Sequence, residues 1–75
     1  MSIQYIRKIR EVRREIEDAA AHHGVKSRRA PSGVVLEGDV LSVHRAISRA
    51  QHHLSLTLNG AVVSALPYSI RLSLK

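Results

Sequence analysis

The chain has 75 residues, no cysteine, and twelve Lys or Arg against six Asp or Glu, which gives a formal net charge of +6. This length indicates a single compact domain, residues 1–75, and the lack of cysteine excludes disulfide staples, a thiolate nucleophile and a cysteine-ligated zinc site. No apolar run approaches the roughly 20 residues of a membrane span, and a cysteine-free chain suits a reducing compartment. We therefore expect a soluble cytoplasmic protein without a membrane partner.

The N-terminal segment has the apolar period of an amphipathic helix. Ser2 is the expected N-cap, and apolar residues then recur at spacings of three and four. Gly24 can adopt the left-handed conformation that ends helices, and His22 and His23 lie where the helix C-terminus favours positive charge. We predict a helix that ends near Gly24.

The middle of the chain predicts a basic loop, a short strand and a second helix. Residues 25–33 combine three cations with a Pro-Ser-Gly turn signal, which is typical of a loop. Residues 34–36 form a short apolar run that indicates a buried strand. Asp39 is then the expected N-cap of a helix whose apolar residues keep a three-four spacing up to Leu54.

The C-terminal third has the alternating pattern of β-strands. Apolar and polar residues alternate over 54–58, and the Asn59-Gly60 dipeptide predicts a tight type I′ hairpin turn. Residues 61–66 supply the partner strand, Pro67 ends it, and residues 70–74 alternate again. We predict an α+β fold with the order α-β-α-β-β-β, in which two helices pack on one face of a small, mainly antiparallel sheet.

The sequence indicates neither a metal site nor a catalytic constellation. The five histidines include two adjacent pairs, whose members point about 100° apart on a helix and cannot aim at one ion. Four of the six acidic residues alternate with cations on the first helix, as on a solvated, salt-bridged face, and Asp39 is explained as a cap. The glycines are scattered among turns. We therefore expect that the protein is not an enzyme and that it has no catalytic residue, no metal and no cofactor.

Positive charge is gathered in the first helix, in the basic loop and on the exposed side of the second helix. Cations near a helix N-terminus cost about a few tenths of a kcal/mol each, so a partner explains them better than stability does. The two aromatic residues, Tyr5 and Tyr68, are too few for base stacking, which leaves contacts to phosphates. The predicted partner-binding residues are Arg7, Arg10, Arg14, Lys26, Arg28, Arg29, Arg45 and Arg49.

Two short stretches resemble known families. The sequence RAISRA at 45–50 resembles a helix motif of the Alba family of chromatin proteins, but the basic first strand and long hairpin arm of that family are missing, so no functional residues are carried over. The turn at Asn59, ALP at 65–67 and IRLSLK at 70–75 resemble the tail of small phage anti-CRISPR proteins. That resemblance implies a compact, cofactor-free chain that binds a host surveillance complex, and the positive charge implies occlusion of a protein surface rather than DNA mimicry.

We therefore expect a non-enzymatic, basic binding protein that engages a nucleic acid or nucleoprotein complex through its cationic clusters. The alternative is a phage- or plasmid-encoded inhibitor of host defence, of the anti-CRISPR type, that binds a host protein complex. A further alternative is a homodimeric structural protein that pairs through the apolar stripe of the first helix, Ile6, Ile9, Val12 and Ile16. Charge that only confers solubility is the simplest competing explanation of the basic composition.

Overall fold

A computed structural model describes the backbone of residues 3–74 and the side chains of residues 8–74. This part of the chain contains two helices and four strands in the order α-β-β-α-β-β. The elements are α1 (Ile3–His22), β1 (Lys26–Ala30), β2 (Gly33–Glu37), α2 (Val40–Leu54), β3 (Asn59–Ala65) and β4 (Tyr68–Ser73). Among the described residues, neither helix is long and apolar enough to cross a membrane.

The strands form one antiparallel sheet in the order β1-β2-β4-β3. β1 and β2 make one hairpin, β3 and β4 make another, and β2 and β4 meet in the centre. The predicted α+β class, with two helices and a small antiparallel sheet, is confirmed. The predicted element order α-β-α-β-β-β is wrong, because a strand lies where a loop is expected and the segment before β3 is not a strand.

The helix boundaries follow the predicted capping residues. The Oδ2 atom of Asp39 accepts a hydrogen bond from the backbone N–H of Ser42 at 3.2 Å, which caps the first turn of α2. Gly24 follows α1 with a φ of 69°, the left-handed conformation expected at this position. Ser55 ends α2 with a φ of 54°. The expected N-cap of α1, Ser2, lies outside the described residues.

The segment predicted as a basic loop is strand β1. Lys26–Ala30 pairs residue by residue with Gly33–Glu37, and only Pro31 and Ser32 remain in the turn between them. A strand of this composition is stable because β1 lies at the edge of the sheet, where charged side chains stay in water and discourage pairing with other chains. The Pro-Ser-Gly signal therefore marks the turn alone and not the whole basic segment.

The C-terminal hairpin turns at Leu66-Pro67, across a cis peptide bond, and not at Asn59-Gly60 as the sequence predicts. Asn59 instead begins β3, and Gly60 lies opposite Leu72 of β4. The dipeptide with the strongest turn signal is thus part of a strand. Proline, which cannot donate to a ladder of backbone hydrogen bonds, occupies the true turn.

The alternating residues 54–58 belong to a helix end and a loop rather than to a strand. Leu54 is the last residue of α2, and Leu58 is buried against the helices with an exposed fraction of 8%. The backbone N–H of Leu58 donates to Oε1 of Gln51 at 2.9 Å, so a side chain from α2 satisfies it. The alternation of apolar and polar residues over 54–58 therefore comes from leucines that pack against the core from a helix end and a loop, and not from a strand.

The core lies between the two helices and one face of the sheet. Its members are mostly aliphatic residues from α1, α2, β2 and β4: Val12, Ile16, Ala19, Ala20, Val25, Val34, Leu36, Val43, Ala46, Ile47, Ala50, Leu58, Ile70 and Leu72. Ile16 is only 1% exposed. Because Val12 and Ile16 face this core, the predicted pairing of two copies through the stripe of α1 is blocked at those positions. Ile6 lies outside the described side chains.

The second face of the sheet carries no helix, and we call it the open face. Residues directly opposite each other in antiparallel strands point to the same side, which places Arg28, Val35, Arg71 and Ala61 in one row across the open face. Val35 is 4% exposed although it lies outside the core. Its direct neighbours in this row are Arg28 and Arg71, and the aliphatic stem of an arginine can cover apolar surface while its charged end stays in water.

The contact between β2 and β4 depends on Gly33. A Cβ at this position would lie 2.5 Å from the carbonyl oxygen of Leu72, a backbone atom that cannot move without disturbing the pairing of the two central strands. We predict that Gly33→Ala lowers the free energy of unfolding, measured by urea denaturation, by about 1–3 kcal/mol.

Gly38→Ala is the matched control for this substitution. Its Cβ would meet its nearest neighbours at the ordinary contact distance of 3.9 Å. The free energy of unfolding should therefore change by no more than about 0.5 kcal/mol. Equal effects of the two substitutions would contradict the tight packing of the central strands at Gly33.

Candidate functional site

The predicted partner-binding cations lie on three separate surfaces. They divide into Arg10, Arg14 and Arg29 between α1 and β1, Lys26 and Arg28 on the open face, and Arg45 and Arg49 on α2. Arg7 belongs to α1, but its side chain lies outside the described residues. The sheet separates Lys26 and Arg28 from the cations on the side of the helices.

The first group surrounds an open cavity between α1 and β1, with a volume of about 650 Å³. Four arginines and two acidic residues line this arginine cavity: Arg10, Arg13, Arg14, Arg29, Glu17 and Asp18. Residues three and four apart are neighbours on a helix surface, so α1 presents its lining side chains together. Four positive and two negative groups leave a formal charge of +2 on the lining.

Two acidic residues of α1, Glu15 and Glu17, make contacts with other elements rather than with helical neighbours. Oε2 of Glu17 accepts a hydrogen bond from Nε of Arg29 on β1 at 3.3 Å. Oε1 of Glu15 lies 2.6 Å from Nδ1 of His53 on α2, a contact that is an ion pair when the histidine is protonated. Within the described residues, no other ion pair is present, so the expected salt bridges along α1 are absent among the side chains of residues 8–22. The arginines of α1 that line the cavity therefore lack an acidic partner.

Arg13 differs from the other arginines of the cavity. Its side chain is half-buried, whereas those of Arg10 and Arg14 are exposed. The Nε atom of Arg13 is buried and has no hydrogen-bond partner among the described residues. A buried donor without an acceptor costs about 1–3 kcal/mol.

The open face carries the second group of cations. Lys26 and Arg28 point away from the helices because they share rows with Glu37 and Val35 of β2, whereas the next residue, Arg29, points toward α1. Arg71 joins them, and its Nη2 donates to the carbonyl oxygen of Pro31 at 2.6 Å. Adjacent residues of a strand point to opposite faces. The cations of β1 therefore lie on both faces of the sheet.

The third group lies where α2 passes the end of α1. Partial burial lowers the pKa of His23 below its ordinary value, and the nearby charges of His22, Arg49 and Arg45 lower it further. A histidine with a lowered pKa binds protons less readily in the folded chain than in the unfolded chain. His23 therefore contributes stability that is fully present above the ordinary histidine pKa and is lost as the pH falls below it and through the lowered pKa of the folded chain.

The chemistry that these surfaces offer is the binding of anions by guanidinium and ammonium donors. In the part of the chain that the structure describes, no three histidine, cysteine or acidic side chains converge where they could hold a metal ion. His44 lies with its Nε2 atom 3.0 Å from the hydroxyl oxygen of Tyr68, which ties α2 to β4. His53 is likewise engaged, with Glu15.

Two cations of these surfaces are missing from the sequence prediction. Arg13 follows the buried Val12 and so lies at the border between core and solvent, a position that the helical period of α1 indicates. Arg71 alternates with the buried Ile70 and Leu72, which indicates that it faces away from the core. Arg71 lies near Arg28 because of the strand order β1-β2-β4, and no local sequence pattern indicates that order.

The charge of Arg49 gives a direct test of the third group. Because this charge disfavours protonation of His23, we predict that Arg49→Gln raises the pKa of His23 toward its ordinary value, as measured by NMR titration of the imidazole. Lys26→Gln also removes one positive charge, on the open face, and is the matched control. An unchanged pKa in Arg49→Gln, or an equal rise in both variants, would contradict the proximity of Arg49 to His23.

Comparison of the chain with protein-family models, with curated proteins and with solved structures finds no match. The resemblances to Alba and anti-CRISPR proteins therefore stay predictions from the sequence. Among the cationic surfaces of the described residues, the arginine cavity combines the most cations.

Proposed function

We propose that this chain is a non-enzymatic binding protein that engages nucleic acid, free or in a nucleoprotein complex, by holding backbone phosphates in the arginine cavity. The observation that carries the proposal is the convergence of four arginines from α1 and β1 on one open cavity. Guanidinium groups present forked, permanently charged donors that match the oxygens of a phosphate. The excess of positive charge over the lining acids favours an anionic ligand.

Arg13 and Arg29 give the cavity two different kinds of donor. Arg13 is half-buried, and its buried Nε has no acceptor among the described residues. Arg29 is held by Glu17, and its side chain stays 70% exposed, so its remaining N–H groups are open to a ligand. One arginine is thus fixed by its burial and another by an ion pair, which lowers the entropy lost on binding.

A duplex fits these observations better than a single strand. Proteins that bind single strands stack bases on aromatic rings, and Tyr68, the aromatic residue whose side chain the structure describes, already contacts His44 with ring centroids 5.7 Å apart. Phosphate contacts without base stacking position a protein on a duplex but carry little sequence information. We therefore expect binding of low sequence specificity that is strongly dependent on salt.

The test is the binding of a labelled duplex of about 25 base pairs, read by fluorescence anisotropy over a salt series. We predict that Arg10→Glu with Arg14→Glu weakens binding by more than about tenfold and makes the salt dependence shallower, because fewer counterions are released. Both side chains are exposed, so the fold should be retained, which circular dichroism checks. A single strand of the same sequence should bind more weakly than the duplex.

Lys26→Glu with Arg28→Glu is the matched control, because it makes the same change in net charge on exposed residues of the open face. This control should retain most of the affinity. Equal losses in both double variants would mean that net charge alone drives binding, and unchanged binding in the cavity variant would exclude the arginine cavity. No binding of wild-type protein at low salt would reject the proposal and make a host protein complex the leading partner.

A further inference from the structure

A second cavity lies on the open face of the sheet, beside the β1–β2 turn and the start of β3, and we call it the Arg71 cavity. Its volume is about 420 Å³, within the range of small-molecule sites. The lining residues come from that turn and from two strands: Ser32, Asn59, Gly60, Ala61, Arg71 and Ser73. The sheet separates this cavity from the arginine cavity, which lies between β1 and α1.

The guanidinium of Arg71 is held across the neighbouring strand β2. Its Nη2 donates to the carbonyl oxygen of Pro31 at 2.6 Å. Gly33 lies on this path, since a Cβ there would be 3.5 Å from Nε of Arg71. The missing side chain at Gly33 therefore leaves room for the arginine to cross β2 and reach the turn. A donor that is fixed in this way loses less entropy when it binds a ligand.

The cavity also offers two uncharged donors. The hydroxyl of Ser32 and the side-chain amide of Asn59 make no hydrogen bond to another described group. No acidic side chain is among the lining residues, so Arg71 gives the lining a formal charge of +1. Arg28 lies in the same row of the open face and adds to the positive potential. An anion with several acceptor oxygens fits these groups.

We propose that the Arg71 cavity binds the phosphate group of a small phosphomonoester. Guanidinium, hydroxyl and amide groups are side-chain donors that commonly hold phosphate oxygens. Here they come from β4, from the β1–β2 turn and from β3, so they approach one tetrahedral group from three elements. A carboxylate has only two oxygens, fewer than these donor groups. The site is independent of the proposed function, because it lies on the other face of the sheet.

The test is an NMR titration of the protein with ethyl phosphate in phosphate-free buffer, which follows backbone amides and the Nε–H signal of Arg71. We expect saturable changes at Arg71, Ser32 and Asn59, with a dissociation constant on the order of a millimolar or below. Diethyl phosphate should bind more weakly, because a diester carries less negative charge than a monoester at neutral pH. Acetate should also bind more weakly. Equal binding of all three anions would overturn the selection of a phosphomonoester.

Substitutions at the cavity identify the donors. Arg71→Gln should weaken the binding of ethyl phosphate by more than about tenfold. Ser32→Gly removes the hydroxyl at a residue whose φ of 58° suits glycine, and should weaken binding by about two- to tenfold. Arg28→Gln is the matched control, since it removes the same charge from the same row without lining the cavity. It should retain most of the affinity, and circular dichroism verifies that the three variants are folded.

Unchanged binding in Arg71→Gln, or an equal loss in Arg28→Gln, would overturn the proposal. A duplex of about 25 base pairs distinguishes a small phosphomonoester from the backbone of a nucleic acid. Arg71→Gln should change the affinity for this duplex no more than Arg28→Gln does. A loss as large as that expected for Arg10→Glu with Arg14→Glu would mean that the Arg71 cavity holds duplex phosphates, which would overturn its assignment to a small molecule.

Discussion

The placement of positive charge in this protein depends on the pairing of β1 with β2. In a loop, the three cations of the basic segment could gather on one side. In a strand, Lys26 and Arg28 point to the open face and Arg29 points to α1, because the register with β2 fixes the direction of every side chain. The ion pair between Arg29 and Glu17 then joins β1 to α1. Without this register the arginine cavity would lose its fourth arginine and one of its walls.

The features that are local in sequence could be predicted, and those that depend on distant partners could not. Both helices, the cap at Asp39 and the left-handed Gly24 follow from patterns within a few residues. β1 could not be predicted, since a basic edge strand gains its stability from β2. The turn at Asn59-Gly60 also fails, because both residues pair with the distant strand β4, opposite Ser73 and Leu72. The cavity itself combines the predicted Arg10, Arg14 and Arg29 with Arg13, whose unpaired Nε only the fold reveals.

The most direct test of the arginine cavity is an NMR titration of the labelled protein with a duplex of about 25 base pairs at low salt, which follows backbone amides and arginine Nε–H signals. The account predicts the largest changes at the four arginines that line the cavity, Arg10, Arg13, Arg14 and Arg29. Changes confined to Lys26, Arg28 and Arg71, or no change at all, would contradict it.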